Sequence, residues 1–357
     1  MNFAVAYEAK GSFPLPTDIG DVRTLRSYGG NVFVVAANAL LIFDVHNPYD
    51  ILKRITIPDQ RLQDVSFSAT EEGIHLLLTS NRGVYSQSLL DLDKPLQPVC
   101  GPLTSRSIYH AALLYGGDVY WLEYDEAAQS SELHSLKKGK ATSYNGYVQP
   151  LIKLNDRQLL VISAEKLYLY DCEEGSVLSA TLSHEERAEA VNMSCQPALD
   201  ESAKAVYTVG EHHIWRITVV NNKLITLPLQ LAPTGDERLT ASEDHVFVAR
   251  SNGFYILDTL GTIKWQADPL FIPEDISDGF APQVDGKYCT FSGLKGTGSV
   301  IRIYNVKTPN IYTQGVPVDA GLNCAPLLSL GCLILAVGDR ETGKQGLRIY
   351  QLKEAGT

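Results

Sequence analysis

The sequence contains few cysteines, and their spacing matches neither a metal site nor a disulfide framework. Six cysteines stand at irregular intervals in 357 residues, and no two of them form a C-x-x-C pair. Structural zinc sites need closely spaced ligands, and disulfide-stabilised domains are usually short and rich in cysteine. We therefore expect free thiols, no metal and a reducing environment, which places the chain in the cytoplasm.

Basic residues are outnumbered, and long hydrophobic segments are missing. Lysine and arginine total 30 against 41 aspartates and glutamates, which gives a formal net charge of −11. Such a surface repels phosphate backbones and anionic lipids, so neither nucleic acid nor a membrane is an expected partner. The longest apolar stretch, residues 325–338, is interrupted by Ser329 and Gly331 and is shorter than the roughly 20 residues of a membrane span. The first residues do not match a signal peptide.

Apolar and polar residues alternate in short runs along almost the whole chain. This period-two pattern is typical of half-buried β-strands, and Gly, Asn or Asp interrupts it roughly every 8–12 residues, as hairpin turns do. Helical periodicity is almost absent, and the only helical turn that we predict covers Ser183–Ala190, where Ser183 and Glu186 fit a capping box. With 45% hydrophobic residues, the chain is predicted to be an all-β protein with a substantial core.

One strand pattern recurs at a regular interval. Its eight instances are LLIFD (Leu40–Asp44), GVYSQ (Gly83–Gln87), ELHSL (Glu132–Leu136), KLYLYD (Lys166–Asp171), HIWRIT (His213–Thr218), GFYILD (Gly253–Asp258), VIRIYN (Val300–Asn305) and GLRIYQ (Gly346–Gln351). The first and eighth instances end at Asp44 and Gln351, so the seven intervals average about 44 residues. A period of that length is typical of the four-stranded blades of β-propellers.

A second pattern precedes several of these strands. A small or polar residue followed by Pro or Ala occurs at residues 110–112, 149–150, 196–197, 281–282 and 325–326. Proline cannot donate a hydrogen bond to a strand ladder, so it belongs at a strand start or at a sheet edge. The innermost strand of a propeller blade has such an edge, and we assign these positions to the starts of inner strands.

The repeat resembles that of a known propeller superfamily. Residues 150–182 carry Pro150, a turn at Asn155–Asp156, Leu167, Tyr168, Asp171 and Gly175, and residues 253–265 add Asp258, Gly261 and Trp265. These features are similar to the repeats of quinoprotein-alcohol-dehydrogenase-like (PQQ-like, WD40-like) β-propellers. The resemblance implies eight blades in a ring. The enzymes of this superfamily bind a quinone cofactor with a tryptophan platform, calcium ligands and often a vicinal cysteine pair, so the resemblance raises the question whether this chain has such a site.

The sequence lacks the residues that form the cofactor site of those enzymes. The sequence has no adjacent cysteines, and two of its three tryptophans, Trp121 and Trp215, stand within predicted strands. It also has no H-E-x-x-H and no G-x-S-x-G motif, so metalloprotease and serine-hydrolase chemistry have no support. We therefore predict the non-enzymatic branch, with no cofactor, no metal and no catalytic residue.

The predicted fold is a single closed β-propeller of eight four-stranded blades over residues 1–357. The blades cover about 21–57, 62–103, 108–143, 147–182, 191–231, 236–268, 279–318 and 322–353. The last repeat leaves too few residues for a fourth strand, so we expect residues 1–16 to pair with the last blade as its outer strand. Seven blades remain the alternative if Glu132–Leu136 is a hairpin insertion.

Charged residues recur in the loops at one predicted end of the ring. Asp64, Asp236, Asp275, Asp278 and Asp319 stand near inner strands, while Arg82, Arg250, Lys295, Arg340 and Lys344 stand in loops between middle strands. An acidic centre could hold Ca²⁺ or Mg²⁺ or receive a basic segment. The alternative is a purely structural role, in which each aspartate closes its own turn. These ten residues form the predicted interaction surface.

The function that follows is a protein-protein interaction scaffold without catalysis. Propellers present a broad, rigid, loop-lined face, and nothing in the motifs demands chemistry. The expected partners are proteins, and the chain could be a subunit of a larger complex. The alternative is a metal-dependent hydrolase or lactonase with its site at the mouth of the central channel, held by the acidic residues.

Overall fold

The computed structural model describes residues 5–47, 49–70, 73–155, 157–180, 183–184, 187–188, 190–251, 253–267, 280–295, 298–309, 315–339 and 342–354. Within these ranges the only helical element is a 3-10 turn at Thr17–Ile19. None of the described helical structure has the length and hydrophobicity to cross a membrane. All other regular structure is β-strand, as the alternating sequence pattern predicts.

The described strands form nine sheets: eight of four or five strands, here numbered blades 1 to 8, and one separate two-stranded hairpin between blades 4 and 5 in the sequence. Blade 1 contains β2 (Val22–Tyr28), β3 (Asn31–Ala36), β4 (Leu40–Asp44) and β5 (Ile51–Ile55). Blade 2 contains β6 (Leu62–Thr70), β7 (Gly73–Ser80), β8 (Val84–Ser88) and β9 (Gln97–Cys100). Blade 3 contains β10 (Leu113–Tyr115), β11 (Asp118–Asp125), β12 (Ser130–Ser135) and β13 (Gly139–Asn145). Blade 4 contains β14 (Ile152–Lys153), β15 (Gln158–Ile162), β16 (Leu167–Asp171) and β17 (Ser176–Ala180).

The second half of the ring repeats this arrangement. Blade 5 contains β20 (Ala198–Asp200), β21 (Ala205–Val209), β22 (Ile214–Val220) and β23 (Lys223–Pro228). Blade 6 contains β24 (Arg238–Ser242), β25 (His245–Arg250), β26 (Gly253–Asp258) and β27 (Ile263–Gln266). Blade 7 contains β28 (Gln283–Asp285), β29 (Tyr288–Lys295), β30 (Gly298–Asn305) and β31 (Val316–Val318). Blade 8 contains β32 (Gly321–Leu322), β33 (Leu327–Ser329), β34 (Cys332–Gly338) and β35 (Gln345–Glu354), with β1 (Val5–Pro14) at its edge.

The eight repeated sequence segments are the third strands of the eight blades. Glu132–Leu136, whose assignment decides between seven and eight blades, forms β12 and the residue after it, so the count is eight. The predicted helical turn at Ser183–Ala190 is wrong where the structure describes it. Ser183–His184 and Arg187–Ala188 pair as the two-stranded hairpin β18–β19, so strand pairing prevails over the capping-box pattern.

Middle strands are buried on both faces, because each blade packs between two neighbours. Every residue of β15 and β21 is buried, which explains their continuous apolar sequences QLLVI and AVYTV. Outer strands such as β23 are mostly exposed and alternate in burial. The core is therefore a series of apolar layers between blades rather than one central cluster.

The N-terminal strand closes the ring, as the sequence predicts. β1 runs antiparallel to β35, from Val5 opposite Glu354 to Pro14 opposite Gly346. The side chains of Phe13 and Leu15 are buried in a cluster that also contains residues of blades 1 and 8. Residues from the two ends of the chain thus share one sheet and one apolar layer.

Polar contacts join neighbouring blades near the inner strands at all eight junctions. They are Arg26 to Asp64, Ser66 to the Ala112 carbonyl, His110 to the Val148 carbonyl, Gln149 to the Cys195 carbonyl, Asn192 to the Gly235 carbonyl, Thr240 to the Pro282 carbonyl, Asp285 to the Gly331 amide, and Gln345 to the Gly20 carbonyl. These contacts link each blade to the next around the ring.

One end of the ring, here called the loop face, carries two kinds of loop. These are the turns between the second and third strands of each blade and the connections that lead from one blade to the next. The two kinds are hydrogen-bonded together: the Ala37 amide donates to the Asp21 carbonyl at 2.9 Å, and the Asn81 amide donates to the Arg61 carbonyl at 2.8 Å. The loop face is therefore a connected surface, not a set of separate loops.

Candidate interaction face

Three of the predicted acidic residues are described, and each has polar partners of its own. Asp64 accepts two hydrogen bonds from Arg26 of blade 1, at 3.1 and 2.7 Å. Asp319 pairs with Arg348 at 2.5 Å, and this hydrogen bond holds the pKa of the Asp319 carboxyl below its ordinary value. Asp275 and Asp278 lie outside the described residues.

Asp236 is held by one hydrogen bond within its own loop and one from the turn between β25 and β26. Its carboxylate accepts hydrogen bonds from the Ser251 amide at 2.7 Å and from the Thr234 hydroxyl at 2.5 Å. Burial acts to raise the pKa of Asp236, but these hydrogen bonds outweigh it and lower the pKa below the ordinary value. Among the described residues, no three His, Cys, Asp or Glu side chains are arranged to hold a metal ion.

The predicted basic residues differ in their surroundings. Arg82 and Lys344 are exposed in turns of the loop face. Arg250 lies over the Tyr255 ring, 4.5 Å from its centroid, and donates to the Ala232 carbonyl at 2.9 Å. Lys295 is the last residue of β29, and Arg340 lies outside the described residues. Of these residues, Arg82 and Lys344 are the ones shown to be exposed cations on this face.

A cluster of tyrosines on the loop face of blades 3 and 4 was not predicted from the sequence. Tyr109, Tyr124 and Tyr147, here called the tyrosine cluster, have ring centroids 5.6 to 6.2 Å apart and inclined planes. His110 packs against Tyr147 with a centroid distance of 5.3 Å. Tyr109 is 37% exposed, and Tyr124 and Tyr147 are half-buried. Aromatic side chains are thus concentrated at one place on the surface.

Hydrogen bonds hold the polar ends of these side chains in place. The Tyr109 hydroxyl donates to a carboxylate oxygen of Glu126 at 2.5 Å, and the Tyr124 hydroxyl donates to the Gln129 side-chain oxygen at 3.0 Å. The Tyr147 hydroxyl lies 2.7 Å from Nε2 of His110. Glu126 and Gln129 belong to the turn between β11 and β12, so that turn and the rings support each other.

The backbone places the three rings together through strand pairing. Ser107, in the connection that enters blade 3, forms an antiparallel bridge with Tyr124 near the end of β11. Val148, which follows Tyr147 in the connection that enters blade 4, forms a similar bridge with Ser163, directly after β15. Both bridges lie at the loop face, because each precedes an inner strand. The rigid sheets therefore determine the position of the cluster.

A buried charged network lies beside the tyrosine cluster, between blades 2 and 3. Glu123 and Glu132 occupy opposite positions on β11 and β12 and are only 6% and 7% exposed. Arg106 pairs with Glu132, and its guanidinium also lies 4.0 Å from Glu123 and 3.9 Å from Asp125. One arginine thus bridges three carboxylates. Because Arg106 precedes Ser107 and Tyr109, this network anchors the connection that carries the cluster.

Further donors complete the network. Nε1 of Trp121 donates to Glu123 at 2.9 Å, and Nζ of Lys140 donates to Glu132 at 2.5 Å. His134 stacks on Trp121 and lies 3.4 to 3.5 Å from both glutamates. Burial lowers the pKa of His134, and although Glu123 opposes this effect, Arg106 and Lys140 reinforce it. Because His134 is neutral, Arg106 and Lys140 are the cations that balance the charges of Glu123 and Glu132.

The burial of His110 predicts how the free energy of unfolding depends on pH. Burial lowers the pKa of His110 despite its contact with the Val148 carbonyl. In the unfolded chain His110 gains its proton near pH 6.5, so the unfolded state binds more protons as the pH falls below that value. We expect the free energy of unfolding to decrease from pH 7.5 to pH 5.5. Urea denaturation at both pH values should show a smaller decrease for His110→Gln, and an equal decrease would contradict the assignment.

The six cysteines are free thiols and are held in their protonated form. Burial raises the pKa of Cys100, Cys172 and Cys195 to about 11 and that of Cys324 to about 12. It also raises the pKa of Cys289 and Cys332. Because the thiolate is the nucleophilic form, none of these side chains is prepared for covalent catalysis.

Comparison with solved structures identifies the fold. The chain is similar to the computationally designed Ika8 protein, with a TM-score of 0.64 and 12% identity over 95% of this chain and 98% of that one. It is similar to the Dos1 propeller, with a TM-score of 0.63 and 11% identity over 97% and 95% of the two chains. Apo AztD from Citrobacter koseri matches with a TM-score of 0.55 and 8% identity over 84% and 88%.

Comparison at the level of sequence gives no family. No protein-family model and no curated protein sequence matches the chain. The structural similarities, all at 12% identity or below, concern the fold alone. The chain is an eight-bladed β-propeller.

Proposed function

We propose that the chain is a non-catalytic interaction scaffold whose loop face binds a partner protein. The tyrosine cluster carries this proposal. It places three partly exposed aromatic rings on a rigid support at the end of the ring where the loops are connected. Tyrosine is enriched among the residues that contribute most to protein-protein binding, because it offers a large contact area and loses little conformational entropy.

The state of the described carboxylates and thiols supports binding over chemistry. Asp64 and Asp319 are engaged in ion pairs with arginines, and Asp236 accepts hydrogen bonds from Thr234 and Ser251. The raised pKa of the cysteines keeps their thiols protonated. A hydrolase at the channel mouth would need carboxylates that converge on a substrate or an ion, and no observation favours that alternative.

We further place the chain in the cytoplasm and in the non-enzymatic branch of the PQQ-like propellers. Six free cysteines support the first assignment, because exported proteins usually oxidise such thiols. Turns that begin at an aspartate and contain a glycine support the PQQ-like repeat in the second assignment. Asp171 accepts from the amides of Glu173 and Glu174 before Gly175, at φ 68°, and Asp258 accepts from the amides of Leu260 and Thr262 on either side of Gly261, at φ 85°.

The outer edge of blade 5 is a second candidate surface. Val220, Ile225 and Leu227 are exposed, large and apolar, and all three lie on its outer two strands. Such residues favour burial against another subunit. If the chain belongs to a larger complex, we expect this edge to be in contact there, while the loop face binds the partner that the scaffold presents.

Comparative affinity capture tests the proposal. The double variant Tyr109→Ala, Tyr124→Ala and the control Leu136→Ala are immobilised beside the unmodified protein in native extract. Leu136 is a suitable control, because it is 52% exposed on the same blade but follows β12 at the opposite end. Loss of about 1–2 kcal/mol per tyrosine should reduce capture of a stoichiometric partner at least about tenfold. Equal capture by all three proteins would overturn the proposal.

A further inference from the structure

We propose that the tyrosine cluster binds a cationic side chain, an arginine or a lysine, in a basic segment of the partner protein. This inference rests on the proposed function and adds the chemistry of the partner. It follows from the rings, from the carboxylate at their rim and from the charge balance of the residues around them.

The rings supply the first contribution. A guanidinium or ammonium group is attracted to the face of a tyrosine ring, because the ring quadrupole is negative above its plane. The planes of Tyr109 and Tyr147 are inclined by 62°, and those of Tyr124 and Tyr147 by 83°. Inclined rings present π surfaces in more than one direction, so a long side chain can contact two of them.

The rim of the cluster supplies the second contribution. Glu126 is exposed in the turn after β11 and accepts the Tyr109 hydroxyl hydrogen bond. This hydrogen bond raises the pKa of Tyr109, so the phenol stays a neutral donor to the Glu126 side chain. When a carboxylate lies beside an aromatic face, the carboxylate pairs with the charged group of an arginine or lysine, and the ring contacts the aliphatic part of the same side chain.

The surrounding charges supply the third contribution. Four carboxylates, those of Glu123, Asp125, Glu126 and Glu132, stand near only two cations, those of Arg106 and Lys140. The two nearby histidines do not correct this imbalance, because burial lowers the pKa of each. These six side chains thus carry two more negative than positive charges, which favours a basic segment over an acidic one.

A peptide series tests the inference directly. A fluorescein-labelled Gly-Ser peptide with three arginines is compared with the same peptide carrying three citrullines, which keep the shape but lack the charge. A third peptide carries three glutamates. Fluorescence anisotropy at low and moderate salt should show that the arginine peptide binds the unmodified protein at least fivefold more tightly than the citrulline peptide does. The glutamate peptide should bind most weakly.

Variants separate the cluster from the general negative charge. Tyr109→Leu with Tyr124→Leu keeps apolar volume but removes the π surfaces, and Glu126→Gln removes the rim charge. Each variant should bind the arginine peptide at least about fivefold more weakly than the unmodified protein does, in line with the size of a cation–π contact. Glu201→Gln, which removes an exposed carboxylate from the turn between β20 and β21, is the matched control and should leave binding unchanged.

The outcomes distinguish this inference from the function on which it rests. The cation site would be overturned if the arginine and citrulline peptides bound equally well. It would also be overturned if Glu201→Gln lost as much affinity for the arginine peptide as the cluster variants lose. If the comparative capture still depends on Tyr109 and Tyr124, the loop face remains the interaction surface and only the chemistry of the partner is wrong. If capture is also unaffected by those tyrosines, both proposals fail.

Discussion

Removing residues 1–16 is expected to lower the melting temperature of the whole protein by about 7 °C or more, because it deletes the outer strand of blade 8. Phe13 and Leu15 are buried between blades 8 and 1, and Phe13 contacts the rings of Phe43 and Tyr49. Loss of two such side chains costs about 5 kcal/mol or more. The deletion also leaves β35 with an unpaired edge, which favours aggregation.

Two controls make the truncation informative. Ser12→Ala and Phe13→Ala change neighbouring residues of β1, one exposed and one buried, and only Phe13→Ala should lower the melting temperature. A synthetic peptide of residues 1–16, added to the truncated protein, should restore much of the lost stability by pairing with β35. Closure by β1 is contradicted if the truncated protein melts together with the full-length protein in differential scanning calorimetry.

Replacing Arg106 with Met is expected to destabilise the protein by about 2–3 kcal/mol. The guanidinium pairs with Glu132 and lies near Glu123, and both carboxylates are almost fully buried. A buried carboxylate without its partner is costly, but Arg106 is 26% exposed and Lys140 remains beside Glu132, so the full cost of an isolated buried pair does not apply. Urea denaturation at pH 7.5 measures the loss.

Second-site and surface variants identify the cause of that loss. Adding Glu132→Gln to Arg106→Met should recover part of the stability, because it removes one of the two buried negative charges that Arg106 balanced and leaves only Glu123. Arg54→Met removes an arginine from an exposed pair with Asp18 and should cost less than about 1 kcal/mol. A loss in Arg106→Met that is unchanged by Glu132→Gln would mean that packing, and not charge, is responsible. The folded Arg106→Met protein should also bind the partner less tightly, because Arg106 anchors the connection carrying Tyr109.

The fold could be predicted because its determinants are local in the sequence. Strand alternation, turn residues and the position of Pro150 or Pro282 before an inner strand act over a few residues each. The repeat then fixes the blade count, and the residues left over at the two ends indicate closure. The hairpin at Ser183–Ala188 was missed because Ser183 and Glu186 fit a helix cap as well as a short turn.

The candidate site could not be predicted in the same way. Tyr109, Tyr124 and Tyr147 are 15 and 23 residues apart, and the chain has 18 tyrosines that suit strand cores equally well. Their exposure depends on the path of the connection into blade 3 and on its bridge to Tyr124. The partners of Asp64 and Asp319 could not be predicted for a related reason: the arginines that pair with these aspartates come from distant parts of the sequence.

Site-specific photo-crosslinking in cells tests most directly where a partner contacts the propeller. A photoreactive phenylalanine analogue replaces, in separate proteins, Tyr109 on the loop face, Leu136 at the opposite end and Leu227 on the outer edge of blade 5. We expect one discrete protein adduct from position 109 and none from position 136. An adduct at position 227 with a different protein would fit a larger complex. Adducts only at position 136 or 227, or equal labelling at all three, would contradict the loop face as the binding surface.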